Sequence, residues 1–174
     1  MDIIAETTVD GSTVQSEPYT IWDTIKYDNG TDPNHNIWSV SSDASIDYSG
    51  GEYAIFSKTV TGNKYAECTL SEQSVCFELE VYQVTGYRTS TFFRVSSSTE
   101  PLYSCQLQNI SHYTGEWVKC RLTMSNGNIT FEDVEDSTKK HTSTYTGSLA
   151  SFQFSLMGSD FTSMRFKNFK VYSI

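Results

Sequence analysis

Helical periodicity is missing from this sequence. No stretch of its 174 residues repeats apolar side chains at three- and four-residue intervals, which excludes a helical bundle. Long hydrophobic runs are missing too: none approaches the ~20 apolar residues that span a bilayer, so membrane insertion is not expected. Positive charge is in short supply, with Lys and Arg numbering 12 against 21 Asp and Glu, and the net charge of −9 opposes a nucleic-acid backbone or an anionic membrane. The nearest basic cluster, Arg165, Lys167 and Lys170, reads as the soluble edge of a last strand. Glycine-rich phosphate loops are absent, and His35, His112 and His141 lie far apart with no nucleophile elbow, so neither nucleotide use nor a catalytic triad is indicated. The four cysteines, Cys68, Cys76, Cys105 and Cys120, lack the close pairs of a zinc site. Cys105 and Cys120 fall on the apolar phase of their segments, which favours reduced, buried thiols over disulfides.

What is present is the material of sheets. Proline is scarce, only 19% of residues are charged, and Ser, Thr, Tyr and Phe abound, a composition suited to pleated, half-buried surfaces. The length suits one domain. Residues 1–36 are polar and read as an irregular N-terminal segment or arm that docks on a neighbour, with turn chemistry concentrated over 27–34. Residues 37–174 read as a single β-sandwich. Short alternating runs predict strands at 36–41, 52–59, 65–70, 74–84, 91–96, 102–110, 117–124, 128–134, 151–157 and 164–172, punctuated by glycine-containing turns. Ser125-Asn126-Gly127-Asn128 predicts a tight hairpin between two of them. The simplest architecture is all-β: two antiparallel sheets packed face to face, a jelly roll. Its core would take Phe77, Leu79, Val81, Phe93, Val95, Tyr103, Leu107, Val118, Leu122, Phe152, Phe154 and Leu156.

The period of two also sorts the other side chains. If Phe77, Leu79 and Val81 face inward, then Glu78, Glu80 and Tyr82 face outward, together with Phe92 and Arg94, with Ser104, Gln106 and Gln108, and with Trp117, Lys119 and Arg121. Sugars present C–H faces that rest on aromatic rings and hydroxyls that pair with amides, carboxylates and guanidinium groups. Glu80, Tyr82, Arg94, Gln106, Trp117 and Arg121 therefore form the candidate ligand-binding platform. Ordinary cross-strand pairing is the competing explanation for the same residues. Asp28, Asn29, Asp32 and Asn34 gather oxygen atoms in one loop, a candidate Ca²⁺ site, although turn formation explains them equally well. Asn29-Gly-Thr, Asn109-Ile-Ser and Asn128-Ile-Thr match the glycosylation acceptor pattern, which chance supplies in a chain rich in Ser and Thr.

Taken in order, FELEVYQV at 77–84, TFFRVSSS at 91–98, GEWVKCRLTMSNGNITFEDVED at 115–136, SFQFSLMG at 151–158 and MRFKNFKVYSI at 164–174 resemble concanavalin A-like sandwich domains. That group includes laminin-G-like modules, glucanases and many carbohydrate-binding modules, and small tail and surface proteins of viruses resemble the same layout. The resemblance implies a sandwich that binds a cell-surface polysaccharide or glycan. In the glucanases, a strand carries the acid and the nucleophile at alternate positions. Glu78 and Glu80 have that spacing, but the positions matching the further carboxylate hold Tyr82 and Gln83, so catalysis is not expected. MDIIAETTVDG lacks the basic start and apolar stretch of a secretory signal, which points to a virion or extracellular surface reached by particle assembly. The rival readings are a structural particle subunit that contacts other virion proteins in a homo-oligomeric assembly, and a degenerate glucanase-like hydrolase.

Overall fold

The alternation of apolar and polar residues is realised as paired antiparallel strands in the computed structural model, which describes residues 2–3, 6–9, 12–15, 19–20, 23–31, 37–83, 91–97, 101–110, 115–156 and 163–174. Among the described residues the strands are β1 (Asp2–Ile3), β2 (Glu6–Val9), β3 (Ser12–Gln15), β4 (Tyr19–Thr20), β5 (Asp23–Asp28), β6 (Ser39–Val40), β7 (Ala44–Asp47), β8 (Ala54–Lys58) and β9 (Lys64–Thr69). They continue as β10 (Val75–Gln83), β11 (Thr91–Ser96), β12 (Pro101–Gln106), β13 (Trp117–Ser125), β14 (Asn128–Asp133), β15 (Lys140–Thr144), β16 (Ser151–Leu156) and β17 (Ser163–Ser173). The larger sheet has eight strands, in the order β15-β14-β13-β10-β17-β8-β7 with β5 also paired to β17. The smaller has five, in the order β12-β11-β16-β9-β6. Strands β1 and β4 form one two-stranded ribbon, β2 and β3 another. The fold is thus the expected sandwich of two antiparallel sheets.

The predicted hairpin is formed. Asn126 and Gly127 have φ of 51° and 76°, both left-handed as a two-residue hairpin turn requires, and Ser125 lies opposite Asn128. All twelve predicted core side chains are buried. They are joined by Trp38, Phe56, Phe131, Phe166 and Phe169. Trp38 is the hub of this cluster: its ring centroid lies 4.5 Å from that of Phe154 in the smaller sheet and 4.6 Å from that of Phe169 in the larger.

Four local expectations are corrected. Within the segment read as irregular, Asp23–Asp28 is a strand paired along the second half of β17, so the sandwich begins before residue 37. The last strand is central rather than an edge, lying between β10 on one side and β8 and β5 on the other. The run expected to continue as strand to 110 ends at Gln106 and closes with a 3₁₀ turn, Leu107–Ile110, whose first and last side chains are buried. Its start is held by the Gln106 backbone N–H donating to Asn109 Oδ1 at 2.6 Å. Strands β7 and β15 lie at the two margins of the larger sheet, and their exposed, mostly polar faces carry little apolar alternation for a sequence reading to find.

A bulge in β17 sets up the site. Glu78 pairs with Lys170 and Glu80 with Lys167, so two steps along β10 answer to three along β17, and Asn168 takes up the extra residue with φ of 52°. There the strand exchanges one neighbour for another, β8 up to Phe166 and β5 from Phe169. Gly30 fills the junction at φ 83°; a β-carbon on it would stand 2.7 Å from the Phe166 carbonyl oxygen.

Candidate functional site

Strand registers place the outward side chains of the larger sheet in rows. Across five strands, Asp47, Ile55, Arg165, Tyr82 and Trp117 are successive partners. The next row is Lys167, Glu80 and Lys119, and the one after it Tyr27, Lys170, Glu78, Arg121, Glu132 and Lys140. Of the six residues proposed for the platform, Glu80, Tyr82, Trp117 and Arg121 therefore share this face. Arg94 and Gln106 do not. Arg94 lies in the row Glu67, Gln153, Arg94, Ser104 of the smaller sheet, with its back to the core side chains Phe93 and Val95. Gln106 ends β12 on that same sheet, where Gln108 donates to its Oε1. Alternation assigns a side chain to an outer surface without saying which of two, and that is how the six came to be grouped.

The ring row is packed with cations. The Trp117 ring lies 5.8 Å from that of Tyr53 and 5.6 Å from that of Tyr82, centroid to centroid. The Arg165 guanidinium carbon sits 4.8 Å from the Tyr53 ring and 5.3 Å from the Tyr82 ring, and Lys167 Nζ sits 4.5 Å from the Trp117 ring. Such contacts are worth roughly 0.5–1 kcal/mol each at a partly open site. The rings thus hold two cations in place instead of standing bare.

The carboxylates beside the row are engaged. Glu80 accepts from Asn168 Nδ2 at 2.8 Å through one oxygen and faces Lys167 Nζ at 3.2 Å through the other. Glu78 Oε1 receives Arg121 Nε at 2.8 Å and Nη2 at 2.6 Å, and Tyr172 donates to Oε2 at 3.5 Å. Arg121 also reaches Glu132 at 3.5 Å. Burial opposes the Arg121 charge, but the hydrogen bond and charge of Glu78 outweigh it and hold the guanidinium above its ordinary value. Between these rows lies a shallow depression of roughly 180 Å³ lined by Glu78, Leu79, Glu80, Lys119, Asn168 and Lys170.

Tyr53, Lys119, Arg165, Lys167, Asn168 and Lys170 belong to this surface and were not among the six. Their signal was in the sequence. Tyr53 alternates with Ala54 and Phe56, and in MRFKNFKVY the apolar residues Phe166 and Phe169 stand three apart before the period of two returns at Val171, which marks the bulge at Asn168. The expectation of an edge strand hid the significance of its cations.

The loop read as a candidate Ca²⁺ site has another role where it is described. The fully buried Asp28 accepts the Gly30 backbone N–H at 2.7 Å through Oδ1, and Trp38 Nε1 and Tyr48 O–H, each at 2.8 Å, through Oδ2. Burial and the Asp28 carboxylate together push the Tyr48 phenol well above its ordinary value. Asn29 Oδ1 accepts the Thr31 N–H at 2.8 Å in a local turn. Asp32 and Asn34 lie outside the described residues. The four cysteines are buried and unbridged, and burial drives Cys68 and Cys76 up to about 11 and Cys105 and Cys120 higher still.

No family model matches the sequence, and no curated protein matches it. Solved structures do match in fold. A Bacillus subtilis protein of unknown function with a galectin-like fold superposes with a TM-score of 0.60 at 8% identity, over 88% of this chain and 98% of that one. The carbohydrate-binding module CBM66 from Bacillus subtilis gives 0.56 at 8% identity, over 79% and 96%. A family 22 xylan-binding domain from Paenibacillus barcinonensis gives 0.52 at 9% identity, over 88% and 96%. The likeness is one of fold, on which many functions have been built.

Proposed function

We propose that this chain is a non-catalytic glycan-recognising module, and that it binds through the outer face of the larger sheet around Tyr53, Tyr82 and Trp117. The observation that carries the reading is the concentration of three aromatic rings and a hydrogen-bonding set, Glu80, Asn168 and Lys167, on one sheet face beside a depression. Ring edges, amide and ammonium donors and carboxylate acceptors are what a sugar's C–H and hydroxyl groups need. Solved structures of similar fold include modules named for carbohydrate binding, which supports the same direction.

Binding is favoured over hydrolysis by the state of the carboxylates. A glycosidase needs one carboxyl to protonate the leaving oxygen and another to attack or to activate water. Glu78 is held by Arg121, and Glu80 by Lys167 and Asn168. The setting we propose is an adhesion surface on a virion or on a cell exterior, where polysaccharide is met first.

Electrophoresis through gels containing embedded polysaccharides tests the reading. The wild-type chain should be retarded by at least one of them, and Trp117→Ala or Tyr82→Ala should abolish the retardation with the circular dichroism spectrum unchanged. Unaltered retardation in both variants would move the site off this face. No retardation by any polysaccharide, with a stable oligomer in light scattering, would favour a particle subunit that contacts other proteins.

A further inference from the structure

We propose that the glycan is anionic and that Arg165 reads a sugar carboxylate, a refinement that rests on the glycan-binding reading above. The cations on the ring face differ in how their valences are met. Arg121 is held by Glu78 and Glu132, and Lys167 by Glu80. Among the described residues the Arg165 side chain has neither hydrogen bond nor ion pair; its guanidinium is held over the Tyr53 and Tyr82 rings. A guanidinium held against rings keeps its N–H groups available in a planar fork, which matches the two oxygens of a carboxylate. Held in place in this way, it loses little side-chain freedom when the ligand arrives.

The nearby charges agree. Asp47, at the far end of the Arg165 row, turns its oxygens to the Ser49 N–H and O–H at 2.8 and 2.9 Å. Lys119 is exposed and Lys170 rests over the Tyr27 ring, and among the described residues neither has a carboxylate partner. Both border the depression, Lys119 one row from Arg165 and Lys170 two rows from it. Among the described residues, three cations on this face are therefore left without an ion-pair partner, in a chain whose net charge is −9. The remote acidic groups are screened beyond about 8 Å at physiological salt, so the local fork governs contact with an anion. The faces of the rings are committed to cations, and recognition by charge follows more directly than recognition by bare stacking.

Sodium polygalacturonate, its fully methyl-esterified form and dextran sulfate, titrated calorimetrically into the full chain, separate the possibilities. Polygalacturonate should bind about tenfold or more tightly than the ester, as a charge-assisted carboxylate pair requires. Arg165→Gln should remove that preference while the weaker binding of the ester persists. Lys119→Gln, an exposed change with no bearing on folding, should reduce the preference in part. Equal binding of acid and ester by the wild-type chain would overturn the carboxylate assignment and leave glycan recognition standing, as would tighter binding of dextran sulfate than of polygalacturonate. If these polymers and every neutral polysaccharide fail to bind, both readings fall together.

Discussion

Asp28 is a carboxylate with no exposed surface, and its geometry explains why it is tolerated. Three donors from three separate places, the Gly30 backbone, the Trp38 indole and the Tyr48 phenol, converge on its two oxygens. It ties the end of β5 to the aromatic hub and to the turn after β7. Asp28→Ala would strand those donors, each at about 1–3 kcal/mol when buried, so urea denaturation should show a loss of about 3 kcal/mol or more. Asp28→Asn keeps an acceptor in place and should lose less. Nothing in the residues 27–34 distinguishes this role from calcium binding or simple turn formation, because the partners at positions 38 and 48 become neighbours only through tertiary structure.

Among the elements, β17 positions the site. Its bulge lets one strand serve two neighbours in succession, and the exchange depends on a residue without a β-carbon at position 30. Gly30→Ala adds left-handed strain of about 1–3 kcal/mol to a collision with backbone that has no room to yield, so thermal melting should show a drop of about five degrees or more, at about 2–4 °C per kcal/mol for a domain of this length. Asn168→Gly keeps the left-handed backbone and loses only the bond to Glu80; it should cost about 1 kcal/mol. The elements show how far alternation carries. FELEVYQ, TFFRVS, WVKCRLTM and SFQFSL each carry an apolar phase, and each became a strand with that phase buried. Strand β15, KHTST, has no apolar phase and is held by backbone pairing with β14, which no pattern of side chains reveals. The same logic limited the site. Period two separates inside from outside, but the assignment of Arg94 to one outer face and Trp117 to the other is decided by strand order, which depends on long-range pairing.

At the scale of the whole molecule, the four thiols act in concert. Each is protonated when buried, with a folded value raised above the ordinary value of 9.0, to about 11 for Cys68 and Cys76. The unfolded chain releases these protons first as pH rises, so the stability they contribute is complete below pH 9 and is lost through about pH 11. At 1.36 kcal/mol per pH unit, each of these two thiols should account for about 2–3 kcal/mol across that window. Urea midpoints measured from pH 8 to pH 11 should fall steeply, and Cys68→Val should flatten the slope. A slope unchanged in that variant would assign the alkaline loss to other groups, Tyr48 among them. Because Trp38 touches Phe152 and Phe154 on one leaf and Phe166 and Phe169 on the other, neither leaf can peel away without breaking the same rivet. Melting should therefore be all-or-none, with calorimetric and van't Hoff enthalpies in agreement, and an indole replaced by alanine should split it into two steps.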